Sequence, residues 1–380
     1  MAPRSRSAIK NIRQADKRRQ AEASKDDWNA DKNQRRVYWF GGAIVFVVLF
    51  LTGSWFFVAS RVDGVVTQEL EALNTPGQTV TCMGQEIVGF PFRMGLQCDE
   101  IEFTSQTEGV TVQAGTLRTT AQVYAPRLQI IDLASPLRIS SDNALPLELN
   151  WDSARSSVRI NGANTLQRVV LEVANLTVTT ALPDTPSQQL VSLTKLFSVA
   201  EPFSLDESQG GTGDQPDLRM FLQGDAIMPR GLSMPPINFE GTLALDGGAA
   251  LLTDADQWLA ALPSVREPIR LEGVTLRTGG TLVELSGRLS VTREGLLNGT
   301  IRMAGQRLEE GLTELQNGID PRNTALKQTV DTLVPAILAL AQPDADNPAI
   351  RNAPPIIFRN GRVVLGILPL GDIPPIRLSR

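Results

Sequence analysis

Apolar and polar residues alternate through most of the chain, in short runs. One set covers 117–124, 128–133, 145–151, 158–160, 167–173 and 176–180, and a second covers 218–225, 237–245, 269–276, 282–291 and 299–304. Period-two alternation between polar turns predicts about a dozen strands, each with one side facing a core, and hence a large antiparallel sheet. A loose motif, Gly-x-(Leu/Ile)-x-hydrophobic, recurs at Gly241, Gly287 and Gly299. Its spacing is irregular, so it marks neighbouring strands of a meander and not a solenoid of fixed period.

Helices interrupt the alternation in three places. The stretch 185–199 reads as a helix joining the two strand sets, followed by a polar, Gly-rich loop at 207–217. A short helix is expected at 254–262, with Thr253 as its cap. A helical pair, 307–318 and 323–341, turns around Asp320-Pro321. Its second member carries Leu326, Val330, Leu333, Val334, Ile337 and Leu340 as an apolar stripe, which is expected to cover the aliphatic side of a curved sheet. A gap beneath that helix is the expected ligand site. The end of the chain, 356–380, returns to strand, with Asn360-Gly361 as a two-residue hairpin signal.

The amino-terminal region follows neither period. Residues 37–60 contain no charge, and a helix over 38–59 would reach roughly 33 Å, enough for a hydrocarbon core of about 30 Å. Tyr38 and Trp39 at one end and Trp55 at the other are placed as interfacial belts. Residues 1–36 carry eleven Lys or Arg and five Asp or Glu, or about +6, which leaves −11 for the rest of a chain whose total is −5. This asymmetry keeps the amino terminus in the cytoplasm and sends the bulk of the chain outward, into the periplasm of a bacterial inner-membrane protein. A cleaved signal peptide is the competing reading, since Val58 and Ser60 are small; the apolar run is too long and the basic region too extended for it. The basic tail is read as setting topology more than as binding anionic lipid, and nucleic-acid binding is not expected. Residues 62–73 continue with helical spacing as a stalk. The expected organisation is a tail at 1–36, an anchor at 37–60, a stalk and turn at 61–78, and a β-rich domain at 79–380 with possible halves at 79–205 and 217–380.

Cys82 and Cys98 lie symmetrically about Phe90. A hairpin centred there, turning at Gly89-Phe90-Pro91, would set Cys82 directly opposite Cys98 and Val88 opposite Phe92. A disulfide across adjacent antiparallel strands is the expectation, contributing about 3 kcal/mol by loop closure. Redox catalysis is the weaker alternative, because Cys-x-x-Cys is absent and no imidazole is at hand to lower a thiol pKa.

The chain has no histidine, which removes every mechanism that needs an imidazole base, metal ligand or pH switch. Two cysteines cannot build a Cys/His zinc site. Ser192-Leu193-Thr194-Lys195, Ser141-Asp142-Asn143 and Arg277-Thr278-Gly279 echo the three motifs of penicillin-binding enzymes, but in the wrong chain order. Asp254-Ala255-Asp256 and Asp344-Ala345-Asp346 lack the third carboxylate and the glycine of a calcium loop, and Gly210-Gly211-Thr212-Gly213 lacks the lysine of a phosphate cradle. No catalytic residue, metal ligand or cofactor is expected.

The anchor, Val80-Thr81-Cys82, Gly89-Phe90-Pro91-Phe92-Arg93, Cys98, Asn360-Gly361-Arg362-Val363 and Leu365-Gly366-x-x-Pro369-Leu370 together resemble the alphaproteobacterial family called domain of unknown function 2125, from Gly64 onward. The resemblance implies an inner-membrane protein with a periplasmic domain and no assigned activity, so it supplies no catalytic residue. The expected fold is α+β and mainly β: a large curved antiparallel sheet with a few covering helices, preceded by one transmembrane helix. The expected role is a non-enzymatic envelope protein binding a lipid-like ligand or an envelope partner; the alternative is a periplasmic hydrolase with a Ser/Lys or carboxylate site.

Overall fold

The computed structural model describes residues 6–106, 109–142, 144–161, 165–180, 187–203, 216–252, 261–264 and 268–376. It comprises two units, Met1–Val65 and Val66–Arg380. Helix α1 (Arg6–Leu73) runs through the first and ends in the second. Within it Tyr38–Leu73 is long and apolar enough to cross a membrane; Tyr38 and Trp39 are exposed and Trp55 is half-buried. Asn74-Thr75-Pro76-Gly77 ends the helix: Pro76 has no N–H to continue it, and Gly77 takes φ 99°.

The second unit is built on one antiparallel sheet. Its first strands are β1 (Gln78–Met83), β2 (Glu86–Val88), β3 (Arg93–Cys98), β4 (Glu100–Ser105), β5 (Val110–Ala114), β6 (Leu117–Gln122) and β7 (Ala125–Leu133). Then come β8 (Leu137–Ser141), β9 (Ala144–Asn150), β10 (Ser153–Ile160), β11 (Leu166–Thr180), β12 (Gln188–Phe203), β13 (Asp217–Pro229) and β14 (Ile237–Leu245). The last are β15 (Ile269–Thr278), β16 (Thr281–Val291), β17 (Leu297–Gln306), β18 (Gln342–Pro343), β19 (Ile350–Arg359), β20 (Arg362–Leu365) and β21 (Leu368–Asp372). Between β17 and β18 stand α2 (Leu308–Gly318) and α3 (Thr324–Leu340), the helical pair expected from the sequence. Asn323 caps α3 by accepting the Leu326 N–H at 3.3 Å. Asn360 and Gly361 take φ 50° and 80° between β19 and β20, as a two-residue hairpin turn requires.

The pairings show a single meander with a crease across it. β3 pairs with β6 while β4, its direct continuation, pairs with β5. In the same way β7 and β8 together pair with β10 and β9, and both of these pair with β11. Each such run is one long strand interrupted near its middle, at 84–85, Asp99, 115–116, 134–136 and 151–152. β11 crosses the same line at Asn175 (φ 52°) and β13 at Ala226 (φ 51°), while β15 has its own irregularity at Gly273 (φ 86°), opposite Thr242. An irregular residue there shifts the side-chain alternation by one and bends the strand. Hence Cys98 and Ile101, Ala114 and Leu117, Val173 and Leu176, and Leu271 and Val274 share the apolar side although each pair is three apart in sequence.

Two expectations are corrected by this crease. The stretch 187–199 is strand β12, paired with β11 on one edge and β13 on the other, and not a helix. Because the face switches at the crease, Leu190, Leu193, Leu196 and Ala200 recur at three- and four-residue spacing, which imitates a helical stripe. The cysteine hairpin is also shifted: Val88 lies opposite Gly95 and Cys82 opposite Ile101, so the turn centres between Pro91 and Phe92. Cys82 and Cys98 are therefore on neighbouring runs but on segments, β1 and β3, that do not pair with each other. Their sulfurs are nevertheless at disulfide distance, 1.99 Å, with Cα atoms 5.3 Å apart, because the link bridges the crease. The expected helix at 254–262 and most of the loop at 207–217 lie outside the described residues.

Candidate functional site

From β13 to β19 the apolar side of the sheet is set by register. One row runs Gly241, Val274, Leu285, Met303, Ala353, and the next Leu243, Leu271, Gly287, Ile301, Ile356. At one end of the strands this face is closed by the Gly248–Leu252 turn and Leu262, which bury Leu218, Leu245 and Val291. At the same end of the strands Arg270, which alternates to the other face from Ile269 and Leu271, forms an ion pair with Asp246 at 2.7 Å, with side chains only 10% and 6% exposed, and Asp217 Oδ1 accepts the Gly247 N–H at 2.8 Å. At the other end Leu308, Leu312, Ile337 and Ala341 pack on Val283, Met303 and Ala353. Between the two covers Leu222, Leu271, Val274, Leu285 and Ile301 are only half-buried. The site is this aliphatic strip.

The helical pair forms a strap across the second end. α2 leaves β17 through Arg307 in the left-handed region (φ 51°) and lies over β16, with Gly311 against the Thr281 side chain. Its far end is fastened to the connection between β13 and β14: Leu232 bridges to Ile319, Ser233 N donates to Gly318 O at 2.6 Å, and Asp320 N donates to Gly231 O at 2.9 Å. A side chain at Gly318 would meet Ser233 O at 2.9 Å, so the fastening requires glycine. α3 returns clasped to α2. Gln316 Nε2 donates to Asp331 Oδ1 at 2.8 Å, and Lys327 Nζ donates to the same oxygen at 3.0 Å and to Gln316 O at 2.9 Å. The Gln316 and then the Lys327 hydrogen bonds hold the Asp331 carboxyl below its ordinary value.

Of the six stripe residues on α3, Val334 is buried, Ile337 joins the core cluster, and Val330 and Leu333 are half-buried. Leu326 and Leu340 stand outside, 41% and 40% exposed. The strap thus seats through the middle of the helix and not along the whole stripe. The strip residues on the strands were implicit in the alternation; their partial exposure was not, because alternation says which side is apolar and not what covers it.

The opposite face is polar and laced by cross-strand pairs, Arg138–Glu148 at 3.0 Å, Arg155–Asp132 at 2.7 Å and Arg277–Glu240 at 2.8 Å. The Asn150 and Arg138 hydrogen bonds lower the Glu148 pKa. These pairs also engage the residues of the enzyme-like fragments. Lys195 Nζ is 3.5 Å from Glu172 and Ser192 Oγ accepts from Gln189; Asn143 lies outside the described residues. Asp344 is spent on a turn, accepting from Asp346 N, Asn347 N and Asn352 Nδ2. No cluster of three His, Cys, Asp or Glu side chains that could hold a metal occurs among the described residues.

Comparison with curated proteins finds no match. The family model described as an uncharacterized protein conserved in bacteria (DUF2125) matches residues 55–374, from within the apolar helix to just past β21, and the chain belongs to that family.

Proposed function

We propose that this protein is a single-pass bacterial inner-membrane protein, amino terminus inside, whose periplasmic β-rich domain binds the acyl portion of a lipid-like ligand without catalysing a reaction. The observation that carries the reading is the strip of Leu222, Leu271, Val274, Leu285 and Ile301, left half-buried between two covered ends. Aliphatic side chains and few polar groups suit a hydrocarbon ligand, for which burial is favourable by about 25 cal/mol per Å² and no directional partner is needed. The charge asymmetry across α1 supports the orientation, and an oxidising compartment suits the Cys82–Cys98 link.

The test is native mass spectrometry of the full chain released from a lipid nanodisc. The parent should retain one more lipid than the Leu285→Arg and Ile301→Arg variants, each of which sets a charge on the strip. Equal retention by folded variants would overturn the reading, since lipid held around α1 is common to all three.

A further inference from the structure

Outside α1, the exposed aromatic side chains among the described residues are Phe90, Phe92 and Tyr124, at 50%, 60% and 77%. All three stand on two neighbouring turns, β2 to β3 and β6 to β7, joined where Val123 N donates to Phe92 O at 3.0 Å. Concentrated exposed apolar surface of this kind marks a contact with something other than water. Residues 88–95 and 121–130 contain the exposed Arg93 and Arg127 and no Asp or Glu, although residues 37–380 carry −11. Aromatic rings beside arginines with no acid among them suit the boundary of an anionic bilayer: rings enter the headgroup region and guanidinium groups meet phosphate.

The chain path favours the membrane that holds the anchor. α1 ends at Leu73, a tight turn bridges Thr75 to Gln78, and the strand run from β1 then passes back along the helix. Gln85 Nε2 donates to Thr67 Oγ1 at 3.0 Å, six residues before the helix end. The Phe90 turn follows Gln85, so within the second unit the strand run reaches it after doubling back past Thr67.

We propose that the two turns form a membrane-docking tip, with Phe90, Phe92 and Tyr124 in the interface of an anionic bilayer and Arg93 and Arg127 on its phosphates. The proposal rests on α1 crossing that bilayer but not on the aliphatic strip holding a ligand. The test uses the full chain, its Cys82–Cys98 link left intact, in nanodiscs of phosphatidylethanolamine and phosphatidylglycerol that contain a shallow nitroxide quencher. A fluorophore at Tyr124→Cys should be quenched, and one at Arg322→Cys, whose side chain is 94% exposed on the far helical turn, should not. Arg93→Gln with Arg127→Gln should lower the ratio of docked to free tip about thirtyfold, from about 1 kcal/mol per arginine. A fluorophore at Phe46→Cys reads insertion of α1 separately. Quenching at 46 without quenching at 124 overturns the tip alone, as expected if the patch instead meets a protein, and quenching at neither position overturns the anchor with it.

Discussion

The two halves of the sheet solve the same problem by different means. From β1 to β11 every run is interrupted at the crease, and the Cys82–Cys98 link bridges it at the edge of the sheet. Ser105, Cys98 and Ala114 are buried there. From β13 to β19 the strands β14, β16 and β17 pass without a change of face, and the apolar side is closed by segments inserted between strands: the Gly248–Leu252 turn at one end and the α2–α3 strap at the other. The difference teaches that a creased sheet changes the face its residues present from one leg to the next, whereas a smoother one keeps a continuous apolar side that inserted segments must cover. An inserted cover that reaches only the ends leaves a strip for something else.

The largest way to break the comparison is to remove the buried ion pair of the second half. Asp246→Ala strands the Arg270 charge and should cost about 3–5 kcal/mol, read as a lower urea midpoint of the micelle-held chain, with hydrogen exchange rising first in β13 to β16. If exchange rises equally in β3 to β10, the halves are one cooperative block and the contrast fails. Cys82→Ser with Cys98→Ser should cost about 3 kcal/mol and show the opposite pattern, loosening β1 to β6 while leaving β15 to β17 protected.

A substitution on the strap should depend on where it sits. Ile337→Asp buries an unpaired charge in the cluster with Leu308 and Met303 and should destabilise by several kcal/mol. Leu326→Asp, on the exposed start of the same helix, should shift the thermal midpoint little. Equal effects would mean that the whole stripe is seated. An outer-face pair should matter least among the substitutions: Arg155→Ala, at 2.7 Å from Asp132 but more than half exposed, should change stability by less than about 1 kcal/mol.

A last, smaller contrast is in pH. Asp331 has its folded pKa depressed by Gln316 and Lys327, so its contribution to the α2–α3 clasp is present above the ordinary carboxylate range and is lost as pH falls through the folded value. Thermal melts of the parent should therefore lose stability below about pH 4 relative to Asp331→Asn, and the two should run parallel from pH 5 to 7. A parallel course down to pH 3 would remove the clasp from the account.

What the sequence shows and hides follows from the same geometry. α2 and α3 were legible because an apolar stripe on the second helix and the Asp320-Pro321 turn signal agree. β14 and β16 were legible because their alternation is unbroken. β12 was not, since the face switch near Thr194 spaces its leucines as a helix would. The cysteine pairing was right in partner and wrong in register, because the turn after Val88 is longer than Gly-Phe-Pro suggests. The Phe90 and Tyr124 tip lay in plain view as letters. Its exposure and adjacency emerge only when β3 is paired with β6, where Arg93 lies opposite Gln122.

The central claim is that the ligand-holding capacity belongs to the second half alone. It is tested most directly by placing a photoreactive benzoylphenylalanine at Leu285, on the strip, and in a separate chain at Ile131, on the apolar side of the first half. Both chains are irradiated in intact bacterial cells and then digested for mass spectrometry. The account predicts a lipid adduct on the peptide bearing residue 285 and none on the peptide bearing residue 131. An adduct at 131 or at both positions, or a protein adduct at 285, would contradict it.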